Sequence, residues 1–174
     1  MNIELEDFSL CHLGRQFREF DSAVHDNRTR LTPYFWWAGE NKITQFKFIF
    51  YTIVAEKMSR ILSDLPYNKK FIIRNNGKFA GIIGLDNVSQ CSPRTELWIF
   101  VTRESAGQQI ASNAIKLAEK YAQEKHINKI YARTKVKNTA SQRMLAANGY
   151  DRTYSDTDSP SEIMWHKLLN NKSY

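Results

Sequence analysis

The sequence predicts an α+β domain, with a sheet of about seven strands and about four helices. Three observations carry that prediction. Apolar residues keep helical spacing before Pro66, β-branched and alternating runs follow it, and strands then alternate with helices toward the end. A length of 174 residues makes residues 1–174 a single domain, and 42% apolar residues supply a core that needs no disulfide or metal. The 13% aromatic content and the lack of low-complexity runs exclude intrinsic disorder.

Residues 2–6 alternate and read as a strand. Leu10, Leu13, Phe17 and Phe20 recur at three- and four-residue spacing, with Asp7 and Ser9 as available caps, which predicts an amphipathic helix over 9 to about 24. The polar run 25–30 marks its end. Thr32, Pro33 and four aromatic residues, Tyr34, Phe35, Trp36 and Trp37, follow; Pro33 and Gly39 argue for a loop or broken turn. Thr44 reads as the cap of a second helix, in which Phe46, Ile49, Phe50, Ile53, Val54, Met58, Ile61 and Leu62 keep helical spacing until Pro66.

Beyond Pro66, residues 71–74 are short and β-branched, Asn75, Asn76 and Gly77 make a tight turn, and 78–86 resume as an apolar run, together a hairpin. Residues 95–102 form the next strand, with Glu96, Trp98 and Phe100 on one face and Leu97, Ile99 and Val101 on the other. A small-residue loop, Ser105, Ala106 and Gly107, leads into a helix carrying Ile110, Ala114, Ile115, Leu117, Ala118 and Tyr121. Residues 129–134 are a strand by composition. Asn138 caps a short helix that stops at Asn148 and Gly149. Segments 150–154 and 161–168 suit a closing antiparallel pair, and 169–174 a frayed tail.

The charge is uneven. Between Val101 and Tyr150 nine basic residues face three acidic ones, so that segment carries six of the net +7. A local basic field suits a nucleotide phosphate or a nucleic acid, and it equally describes a solvated Lys-rich helix face. The apolar stretches are too short for a membrane span, and Glu4, Glu6 and Asp7 stand where a secretory leader would be basic and then apolar. Cys11 and Cys91 therefore read as reduced thiols in the cytoplasm. His12, His25, His126 and His166 share no ligand spacing with each other or with either cysteine, so no metal site is expected.

A strand, a small loop and a helix, followed by a strand and an Asn-capped helix, can bind phosphate, because helix N-termini present unpaired N–H donors and the positive end of a dipole. The run TELWIFVTRESAGQQIASNAIKLAEKYA, followed by KNTASQRMLAANGY, resembles the GNAT superfamily of N-acetyltransferases, and within it the RimJ/RimL branch of protein N-terminal acetyltransferases. NRTRLTPYFWW and KFAGIIGL are similar to matching segments of that branch.

The resemblance implies a GNAT fold, a mixed, mostly antiparallel sheet splayed at its middle strands, with acetyl-CoA as co-substrate in the splay. It implies acetyl transfer to a primary amine, foremost a protein or peptide N-terminus, and leaves a homodimer open. Residue by residue, it gives the CoA pyrophosphate to the loop Ala106, Gly107, Gln108, Gln109, Ile110 and Ala111. It gives the pantetheine and the thioester carbonyl to amides near Phe100 and Val101, the pantetheine arm to Asn138, and return of a proton to the thiolate to Ser141. Some of Lys135, Lys137 and Arg143 would face the 3′-phosphate.

The phosphate loop departs from the family pattern. Ala106 stands where the family has Gln or Arg, and Gln109 where it has Gly; Ala111 conforms. Attack by a neutral amine needs a base, and Glu96 is the leading side chain, with an edge carboxylate paired to Arg94 or a lysine as its other reading. A second carboxylate that some RimL-type enzymes carry is unmatched, since Thr153 stands near that point with Asp151 and Asp156 as neighbours. Tyr131 and Tyr150 are alternative acids or simply packed. Tyr34, Trp36 and Trp37 wall an acceptor site or belong to the core. Two further readings stay open: a GNAT-fold binding or regulatory protein with lost or altered CoA use, and acetylation of an RNA-borne amine such as aminoacyl-tRNA.

Overall fold

The structure, a computed structural model, describes residues 1–61, 66–89, 94–153 and 161–169. The N-terminal strand β1 (Ile3–Asp7) precedes two long helices, α1 (Leu13–Leu31) and α2 (Lys42–Ile61). Three strands follow, β2 (Tyr67–Asn75), β3 (Lys78–Val88) and β4 (Arg94–Val101). Then come α3 (Ile110–Glu124), β5 (Lys129–Lys135), α4 (Thr139–Ala147), β6 (Asp151–Thr153) and β7 (Glu162–Leu168). They form one seven-stranded sheet in the order β1-β2-β3-β4-β5-β7-β6, antiparallel throughout except where β4 meets β5. Cys91 lies outside the described residues, and so does the predicted tail beyond Leu169. Leu169 itself is buried, and its amide donates to the Asn128 carbonyl at 2.8 Å.

The first helix is longer than its sequence suggests. The polar run 25–30 continues it, because Phe20, Val24, Asn27 and Leu31 keep a buried stripe while His25, Asp26, Arg28, Thr29 and Arg30 face outward. Asn27 occupies that stripe without an energetic debt: its amide donates to the Ala23 carbonyl, and its Oδ1 accepts from the Arg103 amide at 3.1 Å and from Arg30 at 2.9 Å. Ser9 caps only a short 3-10 turn ahead of α1, accepting from the His12 amide. The second helix begins earlier than predicted. Asn41, not Thr44, caps it, its Oδ1 accepting from the Thr44 amide at 3.0 Å.

Strands β2 and β3 are buried on both faces, which is why they read as continuous apolar runs rather than alternation. On one face Ile73, Ile83, Leu85 and Leu97 pack against Ile110, Ala114, Ile115 and Ala118 of α3. On the other, Ile72, Ile82 and Phe100 meet Phe20, Val24, Ile49 and Ile53 of α1 and α2. Each fully buried isoleucine contributes about 1.5–3 kcal/mol relative to exposure. The hairpin turn is as read: Asn76 and Gly77 both take positive φ, 49° and 78°.

Candidate active site

The site is built around an interruption of the sheet. Strands β4 and β5 pair only at Arg94, Thr95 and Glu96 with Lys129, Ile130 and Tyr131; beyond these they diverge. The amide of Thr102 bonds to the Ala80 carbonyl on β3, and antiparallel alternation then turns the amides of Phe100 and Trp98 the same way. Phe100 therefore offers the gap no donor, and its ring is core. The donors facing the gap are the amides of Ile99 and Val101. Arg30 of α1 donates to the Val101 carbonyl, which fixes the end of β4 to α1 and leaves the Val101 N–H to the gap.

A groove of about 1570 Å³ runs through this gap. One end is walled by the loop before α3, with Ser105, Ala106, Gly107, Gln109, Ile110 and Ala111, and by Asn138 and Ser141 of the α4 turn. Gln109 sits at φ 56°, ψ 9°, the left-handed region that glycine adopts freely. Its carbonyl accepts from the Asn113 amide at 3.0 Å, so this strained residue starts α3. No side chain caps α3, so the first amides of a fifteen-residue helix stay available at the groove wall. Those amides, the Ile99 and Val101 donors and the uncharged loop fit a pyrophosphate on a thiol-bearing arm. Gln108 takes no part in the wall: its side chain folds back onto the Glu104 carbonyl.

Asn138 caps α4, its Oδ1 accepting from the Ser141 amide at 3.2 Å. Ser141 is half-buried in the wall. Of the basic residues at this end Lys135 lines the groove, while Lys137 and Arg143 are exposed and outside its lining. Lys116 and Lys120 lie on exposed positions of α3 and Lys125 at its C-terminal cap, so a third of the segment's nine basic residues belong to a solvated helix face.

The opposite end lies between α2 and the sheet. Tyr34 and Trp36 border it from the exposed side, Trp36 with 66% of its surface open. Trp37 is only 3% exposed and packs among Phe20, Phe35, Phe48 and Trp98, so it acts as core. Across the floor run Lys70, Gly84 and Trp98, cross-strand neighbours on one face. Lys70 is 5% exposed, donates to Thr52 Oγ1 and stands 4.2 Å from the centre of the Phe48 ring. Burial pulls its pKa down to about 8, against the pull of Asp86.

Asp86 and Glu96 form the next cross-strand pair. Arg133 holds both oxygens of Glu96, each at 2.8 Å. Burial pushes the Asp86 carboxyl above its ordinary range; the Lys70 charge and a hydrogen bond from Trp98 counter it. Of the alternative acids, burial drives the Tyr150 phenol far upward, and a hydrogen bond from Lys129 draws Tyr131 down at a separate surface hollow. Lys70, Asp86, Trp98 and Arg30 were missed in the sequence. Asp86 ends an apolar run in the sequence, but its place beside Glu96 is set by the β3–β4 register.

The open β4–β5 gap with an uncapped helix at one end has the form of a candidate acyl-CoA-dependent transferase site. The family model described as the acetyltransferase (GNAT) family matches residues 36–150, and the chain belongs to that family. It is an N-acetyltransferase that takes its acetyl group from acetyl-CoA. No curated protein matches the chain. Among solved structures it is similar to RimL, the ribosomal L7/L12 α-N-protein acetyltransferase, in complex with coenzyme A: TM-score 0.80, 16% identity, 98% of this chain and 96% of that one. It is also similar to the microcin C7 self-immunity acetyltransferase MccE with acetyl-CoA and AMP, at TM-score 0.77 and 16% identity over 96% and 92% of the chains. The spermidine N-acetyltransferase of Vibrio cholerae with CoA and spermine follows at TM-score 0.66 and 15% identity, over 95% of each.

Among the described residues no helix is long and apolar enough to cross a membrane.

Proposed function

We propose that the enzyme acetylates the primary amine of a protein or peptide N-terminus. The observation that carries this reading is the charge of the acceptor end. The groove's carboxylates are Asp86, Glu96 and Glu162; Glu96 is neutralised by Arg133, which Glu162 also faces, while Lys47 and Lys70 add positive charge to the same walls. Such an end repels a polyamine and suits a single amine that continues into an uncharged or anionic chain. Exposed aromatic residues at the rim, Tyr34, Trp36 and Tyr51, give that chain a surface to lie on.

The geometry supports the following roles. The α3 amides of Ile110 and Ala111 take the pyrophosphate, and the Ile99 and Val101 amides take the pantetheine and polarise the thioester carbonyl. Ser141 returns a proton to the leaving thiolate.

The test is acetyl transfer to a pooled set of peptides with all twenty N-terminal residues, with spermidine beside it. Mass-tagged acetyl on peptide N-termini, with spermidine at least about tenfold slower, supports the reading. Preference for spermidine overturns it.

A further inference from the structure

Resting on the reading of this groove as the amine-acceptor site, we propose that Asp86 is the group that takes the proton from the acceptor ammonium, with Lys70 as the residue that positions its charge. Three observations converge on it. Asp86 lines the groove, and its Oδ1 is buried with no hydrogen-bond partner among the described residues. A buried, unpartnered carboxylate oxygen is costly and calls for a donor, which an ammonium supplies. Glu96, its cross-strand neighbour, is spoken for by the two bonds from Arg133.

The surroundings set the charge of that carboxyl. Lys70 pairs with Gly84 across β2 and β3, and Asp86 stands two residues further along the same face, where the absent side chain of Gly84 makes room for the Trp98 indole that bonds to Asp86. The charged groups around Asp86 are Lys70 from β2, Glu96 from β4 and Arg133 from β5, with Lys47 of α2 and Glu162 of β7 on the same groove. Burial and Glu96 raise the carboxyl; Lys70, Trp98 and Arg133 lower it. The net rise brings it nearer to the pH at which a base must both accept and release a proton.

The proton count closes. The acceptor R–NH3+ gives one proton to Asp86, and its nitrogen lone pair forms the N–C bond to the acetyl carbonyl carbon. The C–S bond breaks with its electron pair on sulfur. The second nitrogen proton reaches the thiolate, by way of Ser141 in the reading above, and Asp86 releases its proton to solvent. The products are an amide, a CoA thiol and one proton.

The test compares wild type, Asp86→Asn, Glu96→Gln and Lys70→Met in kcat/KM against pH, with a serine-first peptide and with tryptamine as acceptors, and acetyl-CoA affinity by calorimetry. Expected are a rising limb in the wild type, a loss of about 100-fold or more and of that limb in Asp86→Asn, and unchanged acetyl-CoA affinity. Lys70→Met should move the limb to higher pH, because removing the cation leaves the carboxyl harder to ionise. Lys70→Met keeps the proposal testable if Asp86→Asn does not fold. A wild-type rate and limb in Asp86→Asn, a limb lost in Glu96→Gln instead, or an unmoved limb in Lys70→Met overturns it. Activity on tryptamine alone sinks the peptide reading and leaves the Asp86 comparison intact. A wild type idle on both amines overturns the acceptor site and the base together.

Discussion

Trp98 and Gly84 are in such close contact that a Cβ on Gly84 would meet the indole at 2.2 Å. That contact sets the floor of the groove at its α2 end, since Trp98 also bonds to Asp86 and packs near Trp37 and Phe48. Gly84→Ala must push the indole into the groove. Overpacking of this kind costs about 1–3 kcal/mol, a fall in melting temperature of roughly 2–10 °C for a chain of this size. Thermal unfolding checks it, and kcat/KM for the amine should fall while acetyl-CoA affinity holds. An unchanged melting point and KM would detach Trp98 from the site.

Gln109 is held at a φ that L side chains resist. Gly in its place removes the left-handed strain, of order 1–3 kcal/mol, and adds back about 0.5–1 kcal/mol of chain entropy. Gln109→Gly is therefore expected to stabilise the protein by about 1 kcal/mol and to tighten acetyl-CoA binding. Denaturant unfolding measures the first and calorimetry the second; a destabilised variant would mean that the glutamine side chain holds the loop.

Ser141 is proposed to return the proton to the thiolate. Ser141→Ala should lower kcat by about 100-fold and leave acetyl-CoA affinity within about twofold, the pattern of an interaction made in the transition state. Equal rates would remove Ser141 from the chemistry.

Lys70 gives a pH-dependent prediction. Its folded pKa is depressed to about 8 from 10.5, so between those values the unfolded chain binds more protons and stability rises with pH. Below 8 the full cost of a buried ammonium is present. Lys70→Met is thus expected to be more stable than the wild type at pH 7, with the difference shrinking by pH 10. Paired thermal melts at the two pH values test it, and a constant difference would contradict it.

Much of this fold was legible because its signals are local. Period, caps and turns placed every strand and helix, and the Asn138 cap and the Gly149 stop stand as read, with Gly149 at φ 76°. Two of the misreadings share a cause, the inability of polarity to report burial. The run 25–30 looks like a loop end, yet Asn27 is buried and bonded at the α1 stripe. The aromatic run 34–37 looks uniform, yet Trp36 is open and Trp37 is core. The site was half legible. Motif spacing pointed to the α3 loop and the α4 cap, whereas Lys70, Asp86 and Trp98 gather only through strand register. Glu96 was visible, but its bidentate partner Arg133, 37 positions away, was not.

The central claim is that the β4–β5 gap and the uncapped α3 terminus bind acetyl-CoA. Calorimetric titration of the wild type and of Ala111→Asp measures it directly. An aspartate in the first turn of α3 suits the helix dipole, so the variant should fold, and it opposes a pyrophosphate there. The wild type is expected to bind one acetyl-CoA per chain with micromolar affinity, weakened at least about tenfold, roughly 1.4 kcal/mol, in Ala111→Asp. No heat at millimolar acetyl-CoA, or equal affinity in the two proteins, would contradict it.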